Sequence, residues 1–128
     1  MKRDVYSGRL ELLGIENEET LRAANNYAVS LKRHKRLEEA KSLLRKTISV
    51  TRRVLGEGDA LTLKMRWIYA EALYKDTGAT LDDLRESVTT LGDLERTTRR
   101  VFGGAHPIAA GIKACLQDAR AVLRSRTE

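Results

Sequence analysis

The chain has one cysteine, one proline, two histidines and no apolar run long enough to cross a bilayer. Each shortage excludes something. A lone Cys115 cannot build an internal disulfide framework and suits a reducing compartment, so a cytoplasmic location is expected. With Pro107 the only proline, almost nothing interrupts a helix. Behind Met1-Lys2-Arg3 there is no apolar stretch, so neither a secretory signal nor a span is read. His34, His106 and Cys115 lack second ligands at zinc-type spacing. No histidine lies near Cys115 in sequence to activate it. The glycines of Gly56-x-Gly58 and Gly103-Gly104 follow no strand and precede no Gly-Lys-Ser/Thr, which rules out a phosphate loop. The acidic pairs Glu18-Glu19, Glu38-Glu39 and Asp82-Asp83 stand at expected helix starts, where negative charge favours the helix dipole. No enzyme activity, catalytic residue, cofactor or metal is therefore expected.

What remains is rich in one kind of material. Apolar residues make up 41% and charged residues 33%, which sets the chain apart from both disordered and membrane proteins. Leu, Ala, Arg, Glu and Lys dominate, the residues that lose least on entering a helix, so an all-α fold is expected. The 24 Lys and Arg outnumber the 18 Asp and Glu, and the net charge of +6 draws anions at low salt.

The strongest internal signal is a phrase written twice. Thr51-Arg52-Arg53-Val54-Leu55-Gly56 returns as Thr98-Arg99-Arg100-Val101-Phe102-Gly103, and Glu11-Leu12-Leu13-Gly14 is a weaker copy. Each glycine follows a run of helical period and reads as the residue just past a helix C-terminus. Between glycines, Leu21, Ala24, Ala28 and Leu31 form one helical stripe. After His34-Lys35-Arg36, a second stripe runs Leu37, Ala40, Leu43, Leu44, Thr47, Ile48, Val50 and Val54. The next unit repeats the plan from Leu61 to Tyr74 and, after a turn at Thr77-Gly78-Ala79, from Leu81 to Phe102, with Leu84, Val88, Leu91, Leu94 and Val101 as its core candidates. Thr80 and Asp83 have the spacing of a capping box that opens this second helix. Pro107 suits the first turn of a closing helix. The expected order is a stub helix at about 4–13, one unit at 17–55, a second at 59–102 and a closing helix at 106–125, as in a window cut from a longer array.

These residues resemble a tetratricopeptide repeat. Ala28, Leu31, Ala40 and Leu44 fall at that repeat's small and large packing positions, since its paired helices cross closely. The Asn25-Asn26-Tyr27-Ala28 phrase and the Phe102-Gly103-Gly104-Ala105-His106-Pro107 linker are similar to the kinesin light chain and nephrocystin type. The pattern departs at Ser87, where a small alanine is expected, and at Gln117 and Arg120, which make the last helix look like a polar cap. The resemblance implies a right-handed superhelix of antiparallel helix pairs, and a scaffold that binds a peptide or helix of another protein in a concave groove.

Helical spacing places Arg22, Asn25, Val29 and Lys32 opposite the first stripe, and Lys64, Trp67, Glu71 and Tyr74 opposite the packing stripe of the third repeat helix. Asn25 or Asn26 suits a ligand backbone, and Arg22, Lys32 and Lys64 suit carboxylates, so an acidic peptide is the expected partner. Trp67 reads equally as a groove anchor or as core. A second reading is polyanion or RNA binding by Lys32-Arg33-His34-Lys35-Arg36 with Arg52, Arg53, Arg99 and Arg100, which the lack of aromatic partners in that run disfavours. Val5, Tyr6, Leu10, Leu12 and Leu13 crowd the first segment, so self-association through that end is also expected.

Overall fold

Three glycines decide where helices stop. Gly14, Gly56 and Gly103 have φ of 82°, 99° and 91°, a region closed to most residues by their Cβ. Each donates its N–H to the carbonyl four residues earlier, on Leu10, Arg52 and Arg99, at 2.9 to 3.0 Å. Three residues past each glycine, a side chain caps the helix that follows. Asn17 Oδ1 accepts from the Glu19 N–H at 2.9 Å, Asp59 Oδ1 from Leu61 at 2.9 Å and His106 Nδ1 from Ile108 at 3.1 Å. The three linkers thus share one hydrogen-bonding plan although their sequences differ.

The computed structural model describes residues 1–128 as six helices: α1 (Lys2–Leu13), α2 (Glu18–Arg33), α3 (Leu37–Leu55), α4 (Ala60–Lys75), α5 (Leu81–Phe102) and α6 (Pro107–Thr127). Helices account for 83% of the chain and strands for none, against roughly 30–35% helix in ordinary globular proteins. The fold is all-α and built from consecutive helices that pack on one another. Two compact units can be distinguished, Met1–Tyr69 and Ala70–Glu128.

In the first unit, α1 packs on α2 and α2 on α3. Leu21, Ala24, Ala28 and Leu31 are buried, and so are Ala40, Leu44, Thr47 and Ile48. Ala28 and Ala40 are fully enclosed, as a close helix crossing requires. A fully buried leucine such as Leu21 or Leu44 contributes about 1.5–3 kcal/mol relative to exposure. Tyr6 is buried against Tyr27, with ring centroids 6.1 Å apart, and burial raises its phenol above the ordinary range. Of the apolar residues in the first segment, Val5, Leu12 and Leu13 are exposed, while Tyr6 belongs to the core.

Val54, expected in the core, is exposed, and so is its counterpart Val101 in the second unit. The reason is the 100° step. From Leu44 or Leu91 the buried line continues to Thr51 or Thr98, seven residues on, and the valines three positions further fall off its edge. The buried threonine hydroxyls donate to helix carbonyls four residues back, Thr51 to Thr47 at 2.9 Å and Thr98 to Leu94 at 2.7 Å.

In the second unit, α5 packs on α6. Thr80 and Asp83 form the full capping box, each side chain accepting from the other's backbone N–H at 3.1 and 3.0 Å. Ser87 is fully buried and donates its hydroxyl to the Ala70 carbonyl at 2.7 Å. A serine therefore keeps the small packing position without stranding a polar atom. In α6 the buried residues are Ala109, Ile112, Leu116 and Ala119, and Gln117 and Arg120 face solvent. Arg126, near the end of α6, donates to the Ala79 carbonyl at 2.8 Å and ties the helix to the turn before α5.

Candidate interaction surface

The beginning of α2 and the beginning of α4 face each other across a small cleft in the first unit. Arg22, Asn25 and Asn26 line it from α2, and Asp59, Ala60, Leu61 and Lys64 from α4, around a volume of about 290 Å³. Arg22 is braced by Glu18, whose Oε2 accepts from Nε at 3.0 Å and from an Nη at 2.6 Å. Asn25 Oδ1 is buried and accepts no hydrogen bond within the chain. Lys64 is exposed. Asp59 caps α4 through Leu61, so its carboxylate is turned to the helix start, where the dipole favours negative charge.

The cleft thus offers a guanidinium, an ammonium and two carboxamides, one of which has a buried acceptor to satisfy. Chemically, such a set can accept an N–H at Asn25 and pair with anionic groups at Arg22 and Lys64. Nothing in it resembles an activated nucleophile or an acid–base pair.

Four of the expected binding residues, Arg22, Asn25, Asn26 and Lys64, are brought together here. Val29 and Lys32 are half-buried on α2 and do not line the cleft, and neither does the half-buried Trp67 of α4. Glu71 and Tyr74 were expected on an open groove face, but both are buried and belong to the second unit. Glu71 accepts from Lys75 Nζ at 2.9 Å, and this bond holds the Lys75 ammonium above its ordinary range. Tyr74 is pushed well above the usual phenol range, first by burial and then by the neighbouring Cys115. The expectation failed because α4 is apolar almost all round. Leu61, Leu63, Met65, Ile68, Ala70, Ala72 and Leu73 are all buried, so a face opposite one stripe is not an open face. Asp59 escaped the sequence reading as a cleft residue, and its signal was its place three residues after Gly56.

Residues 20–60 match the family model described as tetratricopeptide repeat. That stretch is similar to a tetratricopeptide repeat. The matched span takes in α2, α3 and the linker to α4, so it contains every cleft residue except Leu61 and Lys64. No curated protein and no solved structure gives a match. Tetratricopeptide repeats form non-catalytic scaffolds that generally mediate protein–protein interaction. No helix of the chain is long and apolar enough to cross a membrane.

Proposed function

We propose that this protein is a non-catalytic interaction scaffold that holds an acidic peptide segment of a partner protein in the cleft between α2 and α4. The observation that carries this reading is the buried, unpartnered Oδ1 of Asn25 at a site flanked by Arg22 and Lys64. A buried acceptor left unmade costs about 1–3 kcal/mol, a cost relieved by an N–H from a bound backbone. Two full repeat units at 17–55 and 59–102, of the kinesin light chain and nephrocystin type, and a cytoplasmic setting complete the proposal.

The competing polyanion reading is weakened by the pairing of its arginines. Arg52 lies 2.9 Å from Glu57, Arg53 2.8 Å from Glu16 and Arg99 3.3 Å from Glu95. A phosphate backbone would have to displace these three carboxylates, whereas an acidic peptide in the cleft competes with one, Glu18 on Arg22.

The test is binding of a fluorescent glutamate-rich peptide to the intact chain and to the Arg22→Ala/Lys64→Ala double variant. The two charge-assisted contacts together should change affinity by about tenfold or more. Both side chains are well exposed, so thermal melting should barely move. Equal affinity for the two proteins would remove the cleft from consideration.

A further inference from the structure

A second surface lies on another face of α2. The 100° helical step turns Tyr27, Leu31 and His34 well away from Arg22 and Asn26, and between them and the first turn of α1 runs a trough of about 590 Å³. Its floor is apolar, formed by Val5 and Met1 of the first segment against Tyr27 and Leu31. Val5 is 49% exposed and Met1 94% exposed, so an apolar floor faces water. Its rim carries Lys2 and Arg3 on one side and His34 and Arg36 on the other; Glu39 holds Arg36 at 2.7 Å from outside the trough, and no Asp or Glu lines the trough itself. Two basic clusters some thirty residues apart in sequence thus converge on one apolar trough.

We propose that this trough binds an acidic amphipathic helix of a partner protein. Apolar side chains at i, i+3, i+4 and i+7 would fill the floor, and flanking carboxylates would meet the rim. An apolar floor does not suit a phosphate backbone, which needs cations and stacking faces in its place. A second copy is disfavoured by charge, since two-fold contact would set one basic rim against another. This surface does not depend on the α2–α4 cleft.

The probe is a labelled synthetic peptide with leucine at i, i+3, i+4 and i+7 and glutamate elsewhere, followed by fluorescence anisotropy with the full chain. Val5→Asp should weaken binding by about tenfold or more, as for a central apolar contact, and Lys2→Glu/Arg3→Glu should do likewise. All three side chains are exposed, and an unchanged circular dichroism melt verifies that the variants fold. Arg22→Ala/Lys64→Ala should leave this peptide's affinity intact, which separates the trough from the cleft. The proposal is overturned if a glutamine version of the peptide binds equally well, or if the trough variants bind like the parent. It is also overturned if the trough variants abolish a dimer seen by light scattering, or if they abolish tighter binding of an RNA oligonucleotide.

Discussion

At the scale of single residues, the informative positions are those where chemistry departs from the local rule. Lys35 stands where a helix ends in the left-handed conformation, with the Arg36 N–H returning to the Leu31 carbonyl at 2.8 Å. For an L-residue with a Cβ that conformation costs about 1–2 kcal/mol, part of which glycine returns through its freer unfolded state. Lys35→Gly should therefore raise stability by roughly 0.5–1 kcal/mol, read as a higher urea midpoint at constant m. A lower midpoint would mean that the lysine side chain stabilises the turn. Ser87 illustrates a departure that the sequence showed without its remedy. Its small size was legible, whereas the Ala70 carbonyl that accepts its hydroxyl came only from the fold. Val54 and Val101 were misread because a valine in a helical run looks more like core than a threonine does, and the threonines of the same phrase hold the buried places.

At the scale of elements, helix ends were the most legible part of the chain. Glycine after an apolar run, Thr80 with Asp83, and a proline one residue past His106 all act through local geometry that needs no distant partner. Faces were less legible, and α4 is the clearest instance. Its stripe at Ala70 and Leu73 was visible, but its burial on the other sides depends on neighbours far away in sequence, which is why Glu71 and Tyr74 were expected in the open. The capping of α6 permits a direct measurement. His106 accepts through Nδ1, so its proton sits on Nε2, and its ring stacks on Phe102 at a centroid distance of 4.7 Å. His106→Ala removes both contacts and should cost about 1 kcal/mol or somewhat more, while His106→Asn keeps the cap and should recover most of that in the same denaturant titration. If asparagine is no better than alanine, the stack and not the cap holds the start of α6.

At the scale of the whole molecule, net charge and pairing decide how binding responds to salt. The chain bears +6, yet many of its arginines are engaged by carboxylates at short range, Arg22 by Glu18, Arg36 by Glu39 and Arg53 by Glu16 among them. Affinity for an acidic peptide should fall modestly between low and physiological salt, by about the screening of a few contacts. A linear loss in log–log form with a slope of several units would instead mark counterion release from a nucleic acid. The lining of the cleft was only half legible in the sequence, because Arg22, Asn25 and Asn26 could be placed on one helix face, whereas their meeting with Asp59 and Lys64 depends on how α4 follows α3.

The shared plan of the three linkers bears on how such a chain changes length. Gly14, Gly56 and Gly103 end their helices by the same bond, and Asn17, Asp59 and His106 start the next ones in the same register. A genetic crossover between matching points of two linkers would then join a helix end to a helix start that already fit. The reading frame could gain or lose a whole helix pair while every junction kept a conformation the chain has used before. Joints of this kind make growth by duplication cheap in structural terms, and they locate the seams at which segments could be exchanged with those of other chains built on the same bond.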